Sequence, residues 1–244
     1  VYLKGEDSSA FGNDSSGNNN DFGNVFGLAT NDQFLDSPTN NFCVINSVGN
    51  RLLTYTNGNM EGNATSSSSV HKMAKTTLGI PTSATGKYYW EFQVPSSLGA
   101  AAVDMIGMCD LDNGSNVESA TLSSGSGYGF GYQIGTGNTY LGSGWTNNGF
   151  TSAGFVASNY YGFAYDASTG KLFIYQNGTA LNSGNHVATF DKRATLAPGF
   201  SIFNYTTQYK FFNGAQTSLT NSNFNYAPPD GYLPINSVNL GEEF

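Results

Sequence analysis

The 244-residue sequence predicts an all-β fold in which two antiparallel sheets pack into a β-sandwich. Glycine (31 residues), tyrosine (15) and phenylalanine (18) are abundant, as expected for strands with aromatic side chains joined by tight turns. Short runs of strand-like residues, about ten in number, are separated by turn signals. No stretch repeats apolar residues at helical spacing over three turns.

The N-terminal part differs in composition from the rest of the chain. Residues 1–41 are polar and rich in Gly and Asn, yet aromatic residues recur among them. A fully disordered tail would contain fewer aromatics. We therefore predict an extended N-terminal arm or linker over 1–41, docked on this domain or on a neighbour, and a β-sandwich over 42–244. The chain begins at Val1, which we interpret as the start of a processed chain or of a piece of a longer one.

Several strands can be assigned in chain order. Two short strands are predicted at Phe42–Ile45 and Leu52–Tyr55. Lys87–Val94 has the strongest signal, because its aromatic residues alternate: Tyr88, Trp90 and Phe92 fall on one face and Tyr89, Glu91 and Gln93 on the other. Pro95 ends this strand because proline cannot donate to a ladder. Further strands are predicted at Val103–Cys109, Leu196–Phe203 and Tyr209–Phe212.

Residues 160–178 predict a central hairpin. Tyr161, Phe163 and Tyr165 alternate with small or polar residues, and a second strand follows at Lys171–Gln176. Asp166 and Gly170 are typical of the turn between them. Three large aromatics on one face of Lys87–Val94 require a partner layer, so we predict that they share a core with alternate hairpin residues, namely Tyr161, Phe163, Tyr165, Leu172 and Ile174. Cys43 and Cys109, far apart in sequence, are predicted to be buried free thiols.

Four segments occur in an order that resembles SPRY domains. GKYYWEFQV (86–94) resembles an early strand of the family, and IGMCD (106–110) resembles the strand that follows it. GFAYDASTGKLFIYQNG (162–178) is similar to the family's Asp-x-x-x-Gly hairpin, and FNYAPPDGY (224–232) to its C-terminal segment. The resemblance spans roughly residues 36–240. It implies a jelly-roll-like β-sandwich of the SPRY or concanavalin-like type, and it implies no catalytic residues, because the family has no general catalytic set.

Other segments resemble one branch of this family. DSSGNNNDF (14–22), DQFLDSPTNNF (32–42) and PPDGYLPINSVNL (228–240) look like SPRY-containing structural proteins of tailed phages. This resemblance implies a virion protein made in the host cytoplasm, similar to modules at the tips of tail fibres or appendages. The implied partners are neighbouring virion subunits, a homo-oligomer (a trimer in a fibre), and a glycan or protein on the host surface. The loop at 63–69 and the region 135–154 depart from compact SPRY patterns.

Charge and hydropathy argue against two partners, nucleic acid and the membrane interior. The net charge is −8, with nine Lys and Arg residues, which disfavours binding to nucleic-acid phosphates. No apolar run reaches membrane-spanning length, so membrane insertion is not expected.

The sequence offers little for catalysis, and we predict a non-enzymatic protein without a cofactor. His71 and His186 are the only histidines, and their spacing predicts no nucleophile–base set, although a pair with Cys43 or Cys109 is formally possible. Glu91 and Asp166 are interpreted as a hydrogen-bonding strand residue and a turn residue. A glycan-degrading enzyme would usually use paired carboxylates.

A weak metal candidate lies at Asp110 and Asp112. The loop from Asp110 fails the EF-hand pattern, which requires an oxygen ligand at Gly114, glycine at Ser115 and glutamate at Thr121. We therefore favour a polar turn and predict no metal, with a looser calcium site as the alternative.

The region 135–154 is the predicted ligand-binding site. Its candidate residues are Tyr140, Trp145, Asn147, Asn148 and Phe150. Aromatic rings beside amides suit the apolar faces and hydroxyls of sugars, and such rings also serve protein interfaces. The alternative is that Trp145 belongs to the core. The prediction is a host-binding adhesion module, with carbohydrate preferred over protein, and the alternative is a purely structural capsid-decoration or fibre-assembly protein.

Overall fold

The strand with the strongest sequence signal, Lys87–Gln93 (β4), is central in the larger of two sheets. Its alternation is observed as predicted. Tyr88, Trp90 and Phe92 face the main core, whereas Tyr89 lies in a separate apolar cluster on the outer face of the sheet. The sequence pattern of this strand therefore identifies both of its faces.

The computed structural model describes a defined set of residues. These are 1–5, 7, 9–23, 25, 36–37, 39–48, 52–64, 70–96, 103–111, 122, 129–133, 135–142, 147–192, 194–203, 208–214 and 224–241.

Two sheets account for the described strands. The first sheet contains β1 (Leu53–Thr56), β2 (Glu61–Ala64), β4, β9 (Tyr160–Asp166), β10 (Lys171–Gln176), β11 (Thr179–Ala180), β12 (Ala188–Thr189), β14 (Gln208–Phe212) and β15 (Leu233–Pro234). The second contains β3 (Lys72–Lys75), β5 (Met105–Asp110), β6 (Phe130–Gln133), β7 (Asn138–Leu141), β8 (Asn147–Thr151) and β13 (Leu196–Ile202). A 3₁₀ turn at Asn182–Gly184 and a short helix at Ser237–Leu240 (α1) complete the described elements.

The strand order mixes distant parts of the sequence. The first sheet runs β1-β2-β14-β4-β9-β10-β11, with β12 beside β10 and β15 beside β4, and the second runs β3-β13-β5-β6-β7-β8. The pairings are antiparallel except that of β15 with β4, which is parallel. This is the predicted two-sheet β-sandwich. Within the described residues, no helix is long and apolar enough to cross a membrane.

The central hairpin forms as predicted from β9 and β10. Asp166 Oδ1 accepts hydrogen bonds from the backbone amides of Ser168 (2.9 Å) and Thr169 (3.2 Å), which is how an aspartate starts a turn. Gly170 has a φ of 70°, a left-handed conformation that glycine adopts without steric cost.

The hairpin shares the core with β4, but it is not the partner layer. β9 pairs directly with β4 in the same sheet, with Trp90 opposite Phe163. The facing layer is the second sheet, as shown by the contact of Phe92 with Phe200 (ring centroids 6.4 Å apart) and of Tyr132 with Tyr161 (5.8 Å). Periodicity predicted which residues are buried, but it could not separate a neighbouring strand from a facing one.

The predicted strand at Phe42–Ile45 is wrong. The structure has isolated bridges there, between Phe42 and Asn236 and between Ile45 and Thr76. Asn236 follows β15 of the first sheet and Thr76 follows β3 of the second. The segment passes from one sheet to the other and therefore forms no continuous ladder with either.

The predicted arm contains two different parts. Within residues 1–23, turns are joined by internal hydrogen bonds, such as those that Asp14 accepts from the backbone amides of Tyr2 (2.8 Å) and Ser16 (2.9 Å). Asn41, by contrast, exchanges hydrogen bonds with Ser237 of α1: its amide donates to Ser237 Oγ (2.9 Å) and its carbonyl accepts from the Ser237 amide (3.0 Å). The residues just before 42 therefore contact the end of the sandwich.

Both cysteines are buried free thiols, as predicted. Burial raises the pKa of Cys43 and of Cys109 to about 12. Thiols with so high a pKa hold almost no thiolate at neutral pH, which removes them as nucleophile candidates.

Candidate functional site

The structure divides the predicted binding residues between the two faces of the second sheet. Tyr140 on β7 packs against the apolar cluster on the outer face, and its hydroxyl donates to Gln133 Oε1 (3.3 Å). Phe150 on β8 packs against the core between the sheets. These two aromatic rings therefore do not line the same surface.

The amide candidates are also separated. The Asn148 side-chain amide donates to the carbonyl of Val187, so it joins β8 to the segment before β12. Asn147 pairs with Tyr140 through the backbone of β8, and the structure does not describe its side chain. Trp145 lies outside the described residues, so its predicted role stays a prediction.

The metal candidates are not brought into a described site. Asp110 is the last residue of β5, and Asp112 lies outside the described residues. Among the residues that the structure describes, no three His, Cys, Asp or Glu side chains are grouped so that they could hold a metal ion.

A different arrangement of polar and aromatic side chains lies on the outer face of the first sheet. Four residues align across four strands: Glu61 of β2 is opposite Lys210 of β14, Lys210 is opposite Gln93 of β4, and Gln93 is opposite Tyr160 of β9. Gln93 points outward because it follows Tyr89 and Glu91 in the period-2 pattern of β4. Phe212, two residues after Lys210, points to the same face.

These residues surround an open depression, here called the outer-face cleft. Its volume is about 250 Å³, and its lining residues are Asn57, Met60, Glu61, Gln93, Tyr160, Lys210, Phe211 and Phe212. The rings of Tyr160 and Phe212 are half-buried and lie 5.7 Å apart between centroids. Aromatic rings among hydrogen-bonding side chains are the usual composition of a small-ligand site.

Glu61 organises one side of the outer-face cleft. Its Oε1 lies 3.4 Å from Lys210 Nζ, and its Oε2 accepts hydrogen bonds from Gln208 Nε2 (2.6 Å) and Thr56 Oγ1 (3.1 Å). The Glu61 side chain is only 12% exposed, whereas that of Lys210 is 43% exposed. The carboxylate is therefore occupied, and the ammonium is the more accessible member of the pair.

Gln93 on β4 lies between Lys210 of β14 and Tyr160 of β9. Its amide Nε2 donates to the Ser158 carbonyl (3.3 Å), which leaves the amide oxygen as an acceptor. On the far side, Tyr160 contacts Tyr226 of the C-terminal segment at a centroid distance of 6.0 Å. The C-terminal segment thus supports the aromatic side of the outer-face cleft.

Glu91 fixes this C-terminal segment to the sheet. Its Oε2 accepts from the Asn225 backbone amide (2.7 Å), and its Oε1 accepts from the Tyr226 backbone amide (3.0 Å) and the Tyr89 hydroxyl (2.9 Å). Glu91 is fully buried, and this desolvation raises the pKa of its carboxyl group, although the hydrogen bonds offset part of the effect. The interpretation of Glu91 as a hydrogen-bonding strand residue is confirmed.

Gly162 leaves the space in which this arrangement forms. It lies opposite Glu91 on β9, and a Cβ at this position would overlap the Tyr89 hydroxyl. Glycine therefore allows the Tyr89 ring to lie across β9 and reach the Glu91 carboxylate.

We expect Gly162→Ala to lower the free energy of unfolding by roughly 1–2 kcal/mol, because overpacking displaces the Tyr89 hydroxyl from a buried acceptor. Gly23→Ala is the matched control, since no described atom lies within 4 Å of a Cβ at Gly23. Urea denaturation of both variants measures the difference. Equal stabilities would show that Tyr89 moves without cost.

The two histidines each contact an aromatic ring. His186 is exposed and contacts Phe173, with ring centroids 6.3 Å apart. His71 is half-buried against Phe203, and burial together with the nearby charge of Lys72 lowers its pKa to about 4. Neither contact provides a nucleophile for a histidine base.

Comparisons with solved structures agree with this architecture. The SPRY domain of human HERC1 superimposes with a TM-score of 0.54 at 15% sequence identity, covering 68% of this chain and 96% of that domain. The chain has a SPRY-like fold. A human SPRY domain (TM-score 0.48, 10% identity, 67% of this chain and 96% of the other) and the TRIM65 PSpry domain (0.47, 10%, 70% and 92%) are also similar to this SPRY-like domain. Neither a protein-family model nor a curated protein sequence matches the chain.

Proposed function

We propose that this SPRY-like domain is a non-enzymatic binding module of a phage virion that recognises a host surface, with carbohydrate preferred over protein. The observation that carries the binding role is the outer-face cleft, where Tyr160 and Phe212 lie beside Gln93 and Lys210. The virion and tail-fibre assignment rests on the sequence resemblance alone. Domains of this fold are typically non-catalytic interaction modules, which supports a binding role.

The carboxylates that the sequence singled out support a non-enzymatic role. Glu91 has no exposed surface and is engaged by Asn225, Tyr226 and Tyr89. Asp166 is engaged by the turn that it begins. Most glycoside hydrolases use two carboxyl groups that flank the bond they cleave, and a carboxyl group with no exposed surface cannot reach that bond.

The test is binding of the labelled, folded chain to a glycan array and to a panel of intact bacterial cells. We expect saturable binding to a subset of the cells, and to the glycans that those cells display. Release of reducing sugar from a bound glycan would instead indicate an enzyme. A folded chain that binds neither cells nor glycans would contradict the proposed function.

A second candidate, assembly with neighbouring virion subunits, is favoured by the N-terminal segment. Large apolar side chains remain exposed there, including Tyr2 (57%) and Phe22 (54%). Mass measurement in solution, with and without residues 1–41, tests this function. Arm-driven assembly predicts an oligomer, a trimer in a fibre, that dissociates when the segment is removed, whereas a monomer in both forms would contradict it.

A further inference from the structure

The charges that line the outer-face cleft cancel each other. Glu61 and Lys210 are the two charged lining residues, and they form an ion pair at 3.4 Å. Two further donors occupy the second oxygen of Glu61. The chain as a whole carries a net charge of −8, which repels anions. The electrostatics of the outer-face cleft therefore favour an uncharged ligand.

The strands beneath the outer-face cleft cannot recognise a peptide by adding it to the sheet. β2, β14, β4 and β9 each have a hydrogen-bonded neighbour on both sides. Addition of a peptide strand requires a free sheet edge. Recognition here must use side chains that project from the outer face of strands in the middle of the sheet.

The outer-face cleft is also small. Its volume of about 250 Å³ is below the roughly 300–1,000 Å³ of pockets that enclose drug-sized ligands. It is open to solvent, so one ring of a longer molecule can enter while the rest extends away. A pyranose ring fits this description, because its apolar C–H face can contact Tyr160 and Phe212 while its hydroxyls reach Gln93 and Lys210.

We propose that the outer-face cleft binds a single neutral pyranose residue of a surface glycan. The ring lies against Tyr160 and Phe212, the Gln93 amide oxygen accepts from one hydroxyl, and Lys210 Nζ donates to another. Lys210 can do so while it remains paired with Glu61, because an ammonium has three donors and is 43% exposed. This assignment rests on the proposed carbohydrate-binding function and names its ligand class and subsite.

The experiment compares variants of the intact chain on an array that contains both neutral and acidic glycans. Gln93→Ala removes a hydrogen-bonding side chain, and Tyr160→Ala removes one ring of the outer-face cleft. We expect each to weaken binding of the preferred neutral glycan by roughly tenfold. Tyr232→Ala is the matched control, since it removes a half-buried tyrosine that does not line the outer-face cleft, and we expect its binding to equal that of the wild type. Tyr140→Ala tests the region 135–154 in the same assay.

The alternative outcomes are distinguishable. Preference for acidic glycans would overturn the neutral ligand class. The subsite would be overturned if Tyr140→Ala abolished binding while the variants of the outer-face cleft did not. Either result leaves the proposed binding function intact. Binding to cells but to no glycan would also overturn this inference and would indicate a protein receptor. Absence of all binding would overturn both the inference and the proposed function. Gln93 is the last residue of β4 and is half-buried, so Gln93→Ala tests the subsite even if Tyr160→Ala folds poorly.

Discussion

Replacing Trp90 by alanine is expected to lower the free energy of unfolding by about 3–5 kcal/mol. Trp90 has no exposed surface, and its ring stacks on that of Phe163 at a centroid distance of 5.6 Å and an interplanar angle of 7°. The variant would leave a large cavity next to the pairing of β4 with β9. A loss of this size is a large part of the stability of a typical domain.

Chemical denaturation of Trp90→Ala measures this loss, and two further variants provide comparisons for it. Trp90→Phe retains an aromatic ring and removes an indole N–H that has no hydrogen-bond partner among the described residues, so we expect a smaller loss. Val156→Ala, at a side chain that is 52% exposed, should change stability by no more than about 0.5 kcal/mol. A similarly small change for Trp90→Ala would mean that Trp90 is not in the core.

Replacing Glu91 by alanine is expected to lower the free energy of unfolding by about 2–4 kcal/mol, because it removes the acceptor for several donors, at about 1–3 kcal/mol for each one left unsatisfied in a buried site. The Tyr89 hydroxyl is buried, whereas Asn225 is exposed and can recover hydrogen bonds from water. We expect faster hydrogen exchange at the amides of Asn225 and Tyr226 in particular. Exchange that is unchanged there would show that Glu91 does not hold the segment.

Glu91→Gln separates the charge of this residue from its shape. Burial raises the pKa of Glu91, so the folded chain holds the carboxyl proton more tightly than the unfolded chain does. The contribution of this proton to the free energy of unfolding is therefore fully present below the ordinary carboxyl pKa. It is lost as the pH rises through the raised pKa of the folded state. The glutamine variant does not titrate, so we expect the wild type to lose stability relative to Glu91→Gln as the pH rises. The opposite slope would show that the hydrogen bonds from Asn225, Tyr226 and Tyr89 outweigh the desolvation.

Local patterns predicted much of this fold. The alternation in Lys87–Val94 identified Trp90 as a core residue and placed Glu91 on the opposite face of the sheet. The turn from Asp166 to Gly170 identified the hairpin. These features depend on neighbours in sequence. The position of β9 beside β4 depends on long-range pairing, which periodicity does not specify.

The outer-face cleft was not predicted, for the same physical reason. Glu61, Gln93, Tyr160 and Lys210 come from four strands that are distant in sequence, and only the register of those strands aligns them. The region 135–154 attracted attention because its aromatic and amide residues are close in sequence. A β-strand directs successive side chains to opposite faces, so closeness in sequence did not place Tyr140 and Phe150 on one surface.

The hydrogen bonds between Asn41 and Ser237 have a consequence for protein engineering. These residues are 196 positions apart in sequence, yet they are in direct contact, Asn41 just before the first residue of the predicted sandwich and Ser237 shortly after the last described strand. A unit whose entry and exit points adjoin can be inserted into a surface loop of a recipient protein without forcing that loop apart. The outer-face cleft could thus be transplanted into an unrelated scaffold as one continuous cassette.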